Sequence, residues 1–323
     1  MLINTSKFLF LIFMIVGVMI SVSGNSWILV WSGMEMFLMS FIPYFCFFSF
    51  VSSECSLSYF VVQSMSSSLF VFSLVVFLSY DFFFNSFICF SLLLKLGSAP
   101  FHNWVISIVS GMSYDSLFIF LSLSKLPPFF LLSYLCYNLS YFVLFCLVFG
   151  SVGGLNHSSL KKLMGFSSVF NLGFLIYLIN LSSLWFFYFF CYSLMVFFIF
   201  YFFYFYNLIY LNHFFVGGFD LFSSVTFWIL FLSLGGMPPM FGFFVKLITI
   251  EYSLINLDYF ISFFLVLFSL VVMFYYIRCS FVSLILCSFL VKWNLFFFVR
   301  WLNFFSFLSL FVFPFCFLFS GFF

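Results

Sequence analysis

Residues 94–100 read Leu94-Lys95-Leu96-Gly97-Ser98-Ala99-Pro100, and residues 232–238 read Leu232-Ser233-Leu234-Gly235-Gly236-Met237-Pro238. The second stretch follows the first by 138 residues, Leu94 falling on Leu232. Each lies inside a long apolar segment, so each reads as a helix interrupted by Gly and Pro at membrane depth. An interruption there frees carbonyls and amides that only protein or water can satisfy. Paired interruptions at matching places in two units are the sequence sign of a transport site in folds built from inverted repeats. The candidate helix breaks are Gly97, Pro100, Gly235, Gly236 and Pro238.

The surrounding composition makes membrane depth the only sensible setting. Of 323 residues 67% are apolar and 5% charged, with 68 Phe and a mean hydropathy of +1.36. A soluble domain carries about 25% charged residues. That excludes a soluble enzyme, a disordered chain, and a nucleic-acid binder with its basic patches. At roughly 20 apolar residues per crossing, with short connections, the chain has room for about 11 spans. The expected fold is an all-α polytopic membrane protein of eleven transmembrane helices, from Phe8–Ser21 to Leu302–Phe319. The third span is expected at Ser58–Leu78, the fourth at Phe84–Ser110, the fifth at Ser116–Cys136 and the ninth at Leu221–Ile250. Residues 279–301 fit a helix extension, a surface segment or both. Because the 138-residue shift covers five crossings, the two five-helix units, 1–137 and 138–278, would be inverted repeats of one membrane domain. A connecting segment and a C-terminal helix would fill 279–323.

Charge placement agrees with that count. If crossings alternate, Lys7, Lys161, Lys162, Lys292 and Arg300 share the side of the N-terminus. Asp81, Asp258 and Glu251 fall on the other. Lys and Arg are retained inside, so the N-terminus faces inward and the C-terminus outward. Scarce residues carry their own message: one Ala, one Gln (Gln63) and three Thr. Their codons are C-rich, which points to a T-rich, C-poor coding strand such as some animal mitochondrial genomes have. The first residues lack a cleavage pattern and the Arg-rich character of a transit peptide, as expected for synthesis inside the organelle.

Four charges fall within spans: Glu35, Lys95, Lys125 and Lys246. Each costs roughly 2.5–3.5 kcal/mol at the bilayer centre on insertion scales, a cost that calls for partners or a task. Three lysines and one carboxylate suit protons better than metal ions, which want oxygen ligands. Burial disfavours a charged lysine and a nearby carboxylate favours it. Two unit charges ~7 Å apart at an effective dielectric of ~20 interact by roughly 2.4 kcal/mol. Moving one proton against 100 mV costs about 2.3 kcal/mol, so displacing Glu35 could load or unload a lysine. His102 and His157 are possible relay groups, since imidazole titrates near neutrality. His102 equally suits a hydrogen-bonded core position, and His157 a surface loop. Nine cysteines show no C-x-x-C spacing, and no phosphate loop, nucleophile triad or metal-ligand cluster is present. Neither a metal nor a redox cofactor is expected in this chain.

The motifs then resemble a known family. They are Trp31–Pro43 around Glu35, Leu94–Pro100 continued by Phe101-His102-Asn103-Trp104, and Lys125-Leu126-Pro127-Pro128. Gly153-Gly154-Leu155-Asn156-His157 runs to Lys161-Lys162 and Ser167-Ser168, and Ser233–Pro239 precedes Gly242 and Lys246. In order, these look like the antiporter-like subunit 2 family of mitochondrial NADH:ubiquinone oxidoreductase (respiratory complex I), in its short animal form. The resemblance implies a proton-translocating membrane-arm subunit of the inner membrane, with the N-terminus in the matrix and the C-terminus in the intermembrane space. Glu35 and Lys95 would be the gating pair, Lys125 the central relay and Lys246 the exit-side lysine. FMN, iron–sulfur clusters and ubiquinone would sit in other subunits, and the partners would be neighbouring antiporter-like subunits and lipid, with no nucleic acid. There are departures: Ile106-Ser107 stand where the family has Pro-Glu, and His157 where it has Gln. A stand-alone cation/proton antiporter and a purely structural assembly subunit are the alternative readings.

Overall fold

The computed structural model describes residues 5–46, 50–77, 85–135, 139–213, 221–238 and 240–289. Among them the chain is helical, with one isolated bridge, Ser159 to Tyr210, as its sole β pairing. The helices are α1 (Thr5–Ser23), α2 (Trp27–Cys46), α3 (Phe50–Phe77), α4 (Asn85–Leu96), α5 (Asn103–Gly111), α6 (Tyr114–Leu121) and α7 (Leu126–Leu135). There follow α8 (Ser140–Gly154), α9 (Leu160–Leu178), α10 (Ser182–Tyr206), α11 (Leu221–Gly235), α12 (Phe241–Ile255) and α13 (Tyr259–Phe289). Among the described residues six segments are long and apolar enough to cross a membrane: Thr5–Ser23, Trp27–Cys46, Phe50–Val76, Tyr114–Leu135, Ser183–Tyr206 and Tyr259–Val282. Two compact units result, residues up to 139 with 179–182, and 140–178 with the described residues from 183 on.

Both expected interruptions are present. The fourth span divides into α4 and α5, and the ninth into α11 and α12. Each break is the same C-terminal cap. Gly97 (φ 68°) donates to the carbonyl of Leu94, and the Ser98 amide reaches back to Leu93. Gly236 (φ 80°) donates to Ser233 and Leu232, and Met237 to Leu232. These are the paired bonds of a Schellman cap, whose left-handed residue is natural only for glycine. The cap therefore aligns Gly97 with Gly236, a shift of 139 residues rather than 138. Gly235 is the last helical residue of α11 and not the hinge.

Two further differences from the expected spans have local causes. α3 begins at Phe50, eight residues before Ser58. Its polar first turns read as a connection, but the Ser53, Ser56 and Ser58 hydroxyls bond carbonyls three residues back and leave the helix intact. The fifth span is not continuous: a 3-10 turn, Leu123–Lys125, separates α6 from α7. Pro127 and Pro128 lack the amides a continuous ladder needs and fit the first turn of a new helix. The Ser122 and Ser124 hydroxyls accordingly turn back to the carbonyls of Phe118 and Phe120. α13 takes in residues 279–289 as a helix extension. Asp81, Pro239, Lys292, Arg300 and the eleventh span lie outside the described residues.

Candidate functional site: lysines at three helix interruptions

In the first unit, α1 and α2 cross closely. A methyl on Gly33 would lie 2.7 Å from the Ser21 amide, so only a hydrogen there allows this approach. Two residues on, Glu35 stands 3.8 Å from the ammonium of Lys95 (Oε1 to Nζ). The lysine side chain is buried and the carboxylate 23% exposed. At that separation the contact is an ion pair and not a hydrogen bond. Lys95 is the penultimate residue of α4, two positions before Gly97 closes the helix.

The backbone carbonyl of Lys95, at the end of α4, accepts a hydrogen bond from Nε2 of Gln63 on α3 at 3.2 Å. In the sequence Gln63 stands out only as the sole glutamine, and that singularity in a polar-poor chain is the available signal. Gln63, Lys95, Ser124 and Pro127 line one cavity, which adjoins the 3-10 turn carrying Lys125. Lys125 is 3% exposed. His102 is buried just beyond the break, with Nδ1 3.2 Å from the Pro100 carbonyl.

In the second unit the break is capped by a charge. Lys246 Nζ donates to the carbonyls of Gly235 (2.8 Å) and Leu234 (3.1 Å), the last two of α11. A helix C-terminus carries partial negative charge, so these oxygens suit an ammonium. The Phe170 ring lies 5.5 Å from Nζ and adds a cation–π face. The position follows from Gly242, one turn earlier on α12. A methyl there would meet the Ser233 carbonyl at 1.8 Å, so glycine lets α12 abut the end of α11. In cap register, Lys95 of the first break corresponds to Leu234 of the second. One carbonyl is held by a neutral amide, its counterpart by an ammonium.

α9, buried on almost every side from Leu163 to Ile176, supplies polar groups nearby. Tyr188 Oη donates to Asn171 Oδ1 (2.9 Å), and Asn171 Nδ2 donates to the Ser167 carbonyl (3.0 Å). Asn171, Tyr188 and Tyr192 line a small cavity with Lys246. These residues were not singled out in the sequence, where they read as one amide and two aromatics in a Phe-rich chain. His157 lies in the loop between α8 and α9, stacked on Phe166 at 4.9 Å. Partial burial, and then the Lys162 ammonium, push its imidazole below the ordinary value. Among the described residues no group of three His, Cys, Asp or Glu is placed to hold a metal ion.

Residues 79–273 match the model of the family described as NADH:quinone oxidoreductase/Mrp antiporter, transmembrane. The chain belongs to this family. It is 34% identical over 304 residues to NADH-ubiquinone oxidoreductase chain 2 of Anopheles gambiae, covering 89% of each protein. Against the protein of the same name from Locusta migratoria it is 30% identical over 305 residues, 90% of this chain and 89% of that one. Among solved structures it is similar to a chain of respiratory complex I from Thermus thermophilus, with TM-score 0.84, 18% identity, and 98% and 79% of the two chains covered. A chain of the Mrp complex from Dietzia sp. DQ12-45-1b gives TM-score 0.69 at 13% identity over 84% of this chain and 59% of that one. At those identities the likeness concerns the fold, an antiporter-like membrane fold.

Proposed function

We propose that this chain is a proton-translocating membrane-arm subunit of an NADH:ubiquinone oxidoreductase, driven by electron transfer in other subunits and holding no redox centre itself. The observation that carries the reading is the Glu35–Lys95 pair at a helix break. At 3.8 Å and an effective dielectric of ~20 the pair attracts by at most about 4 kcal/mol, against roughly 2.4 kcal/mol at ~7 Å. Swinging Glu35 away thus releases about 2 kcal/mol of hold on the Lys95 proton, close to the ~2.3 kcal/mol of one charge crossing 100 mV. Lys95 opens towards the cavity that adjoins Lys125, the proposed central relay. Lys246, on the carbonyls of the second break, is the proposed exit-side lysine. His102 beside the first break is a proposed water-side relay, and His157 a lesser one, since its surroundings favour neutral imidazole.

The fold is proposed as eleven crossings with two inverted repeats, supported by the matching caps at Gly97 and Gly236. Alternate crossing has support within each unit. Lys7 acts electrostatically on Asp115, both expected on the inner side. Arg278 donates to the Leu155 carbonyl there, and Tyr177 donates to Asp258 on the opposite side (3.0 Å). The proposed site is the mitochondrial inner membrane with the N-terminus in the matrix, among neighbouring antiporter-like subunits, lipid and the FMN, iron–sulfur and ubiquinone sites of other chains. Native-gel separation of inner membranes with mass spectrometry tests this. The chain is expected in the large NADH-oxidising band. Its absence there, with cation/proton exchange by the chain alone in liposomes, would support a stand-alone antiporter instead.

A further inference from the structure

The cavity beside Lys246 is lined by a tyrosine that takes no part in the path through Glu35, Lys95, Lys125 and Lys246. Tyr188, Tyr192 and Met195 lie on one face of α10 at i, i+4 and i+7, and all three line the cavity of Lys246. Tyr188 is satisfied by Asn171. Tyr192 is 4% exposed, and among the described residues its hydroxyl has no hydrogen-bond partner. A buried hydroxyl without a partner costs about 1–3 kcal/mol, and such groups in folded proteins are bonded to protein or to ordered water. The cavity has room for about one or two water molecules and offers polar partners. Lys246 spends two of its three N–H groups on the Gly235 and Leu234 carbonyls. One donor faces the need for an acceptor, and a tyrosine hydroxyl faces the need for either.

We propose that an ordered water bridges Lys246 Nζ and Tyr192 Oη, and that Tyr192 is the positioning residue for the proton transfer at Lys246. Tyr192 donates its O–H to the water oxygen or accepts from the water, and so holds a lone pair towards Nζ. In the transfer an N–H bond of the ammonium breaks and an O–H bond of the water forms, leaving neutral Lys246 and a hydrated proton in the cavity. No oxidant or co-reactant is needed. The two carbonyl bonds explain why the positioning matters: they retain the proton on Lys246, so a well-placed acceptor is required to take it. The transfer role rests on the proton-translocating reading; the water site rests on geometry alone.

Two measurements on the intact assembled complex test this. High-resolution density is expected to show a water within hydrogen-bond distance of both Tyr192 Oη and Lys246 Nζ, lost or displaced in Tyr192→Phe. A wild-type map with that position dry overturns the proposal. In the second, NADH-driven proton pumping is measured for Tyr192→Phe and Lys246→Met, normalised to complex abundance, in H2O and D2O. Tyr192→Phe keeps the ring and the fold. It is expected to slow pumping about fivefold and to enlarge the solvent isotope effect, which a merely structural loss would not do. Suppression by Lys246→Met with wild-type pumping and isotope effect in Tyr192→Phe refutes the role of Tyr192. Wild-type pumping in Lys246→Met refutes the proton-translocating reading of this lysine, and the positioning role falls with it.

Discussion

Gly236→Ala separates what the second break does for the fold from what it does for Lys246. Gly236 has φ 80°, and a left-handed backbone costs an alanine roughly 1–2 kcal/mol. The added methyl would lie 2.9 Å from Lys246 Cδ and 3.0 Å from Nζ. Both belong to a flexible side chain, so the lysine moves rather than the backbone. What it loses is its seat: the bonds to Gly235 O at 2.8 Å and Leu234 O at 3.1 Å. A hydrogen bond to a charged group is worth about 1.5–3 kcal/mol, so losing one is a factor of ten or more in the population of the seated ammonium. Pumping per assembled complex is therefore expected to fall about tenfold, more than abundance does. Gly236→Asn sharpens the test, because asparagine tolerates the left-handed backbone yet still carries a Cβ; it should lose pumping with a smaller loss of abundance. Gly97→Ala provides the contrast. Its methyl would meet Val105 Cγ2 at 2.2 Å and no ammonium, so abundance should fall first. The assay is NADH-driven acidification of sealed vesicles, with complex quantified on native gels. Wild-type pumping per complex in Gly236→Ala would refute the claim that the carbonyl seat of Lys246 matters.

Gln63→Leu removes the donor to the Lys95 carbonyl and leaves that oxygen buried at a helix end. The expected cost is about 1–3 kcal/mol, read as a lower thermal midpoint of the purified complex, and an unchanged midpoint would argue against this cap. Gly242→Ala has nowhere to put its methyl, 1.8 Å from the Ser233 carbonyl. The assembled chain is expected to be lost or scarce on native gels, and normal abundance would show that α12 does not abut α11 as described.

The sequence made much of this legible because lipid leaves few solutions. Apolar length located the helices, and the Gly-Pro interruptions located both breaks. Lys95, Lys125 and Lys246 stood out because a buried charge is costly wherever it is drawn. The register of the second break did not show, since Gly235 and Gly236 are equally permissive until one of them takes φ 80°. The polar start of α3 misled because serine hydroxyls can be satisfied by their own helix. The 3-10 turn under Lys125 did not show either, because the apolar run from Ser116 to Cys136 reads as one span although Pro127-Pro128 lack the amides of a continuous ladder. Gln63, Asn171, Tyr188 and Tyr192 stayed hidden because an amide or a phenol acquires meaning only from what it faces in space.

The central claim, that buried lysines carry protons for electron transfer elsewhere, is tested most directly on Lys125, 3% exposed in a 3-10 turn within the membrane. Lys125→Ala in an assembled complex is expected to suppress both coupled NADH oxidation and proton pumping, with the complex present at normal abundance. Wild-type oxidation and pumping rates in that assembled variant would contradict the account; lowered abundance with unchanged turnover per complex would make the lysine structural.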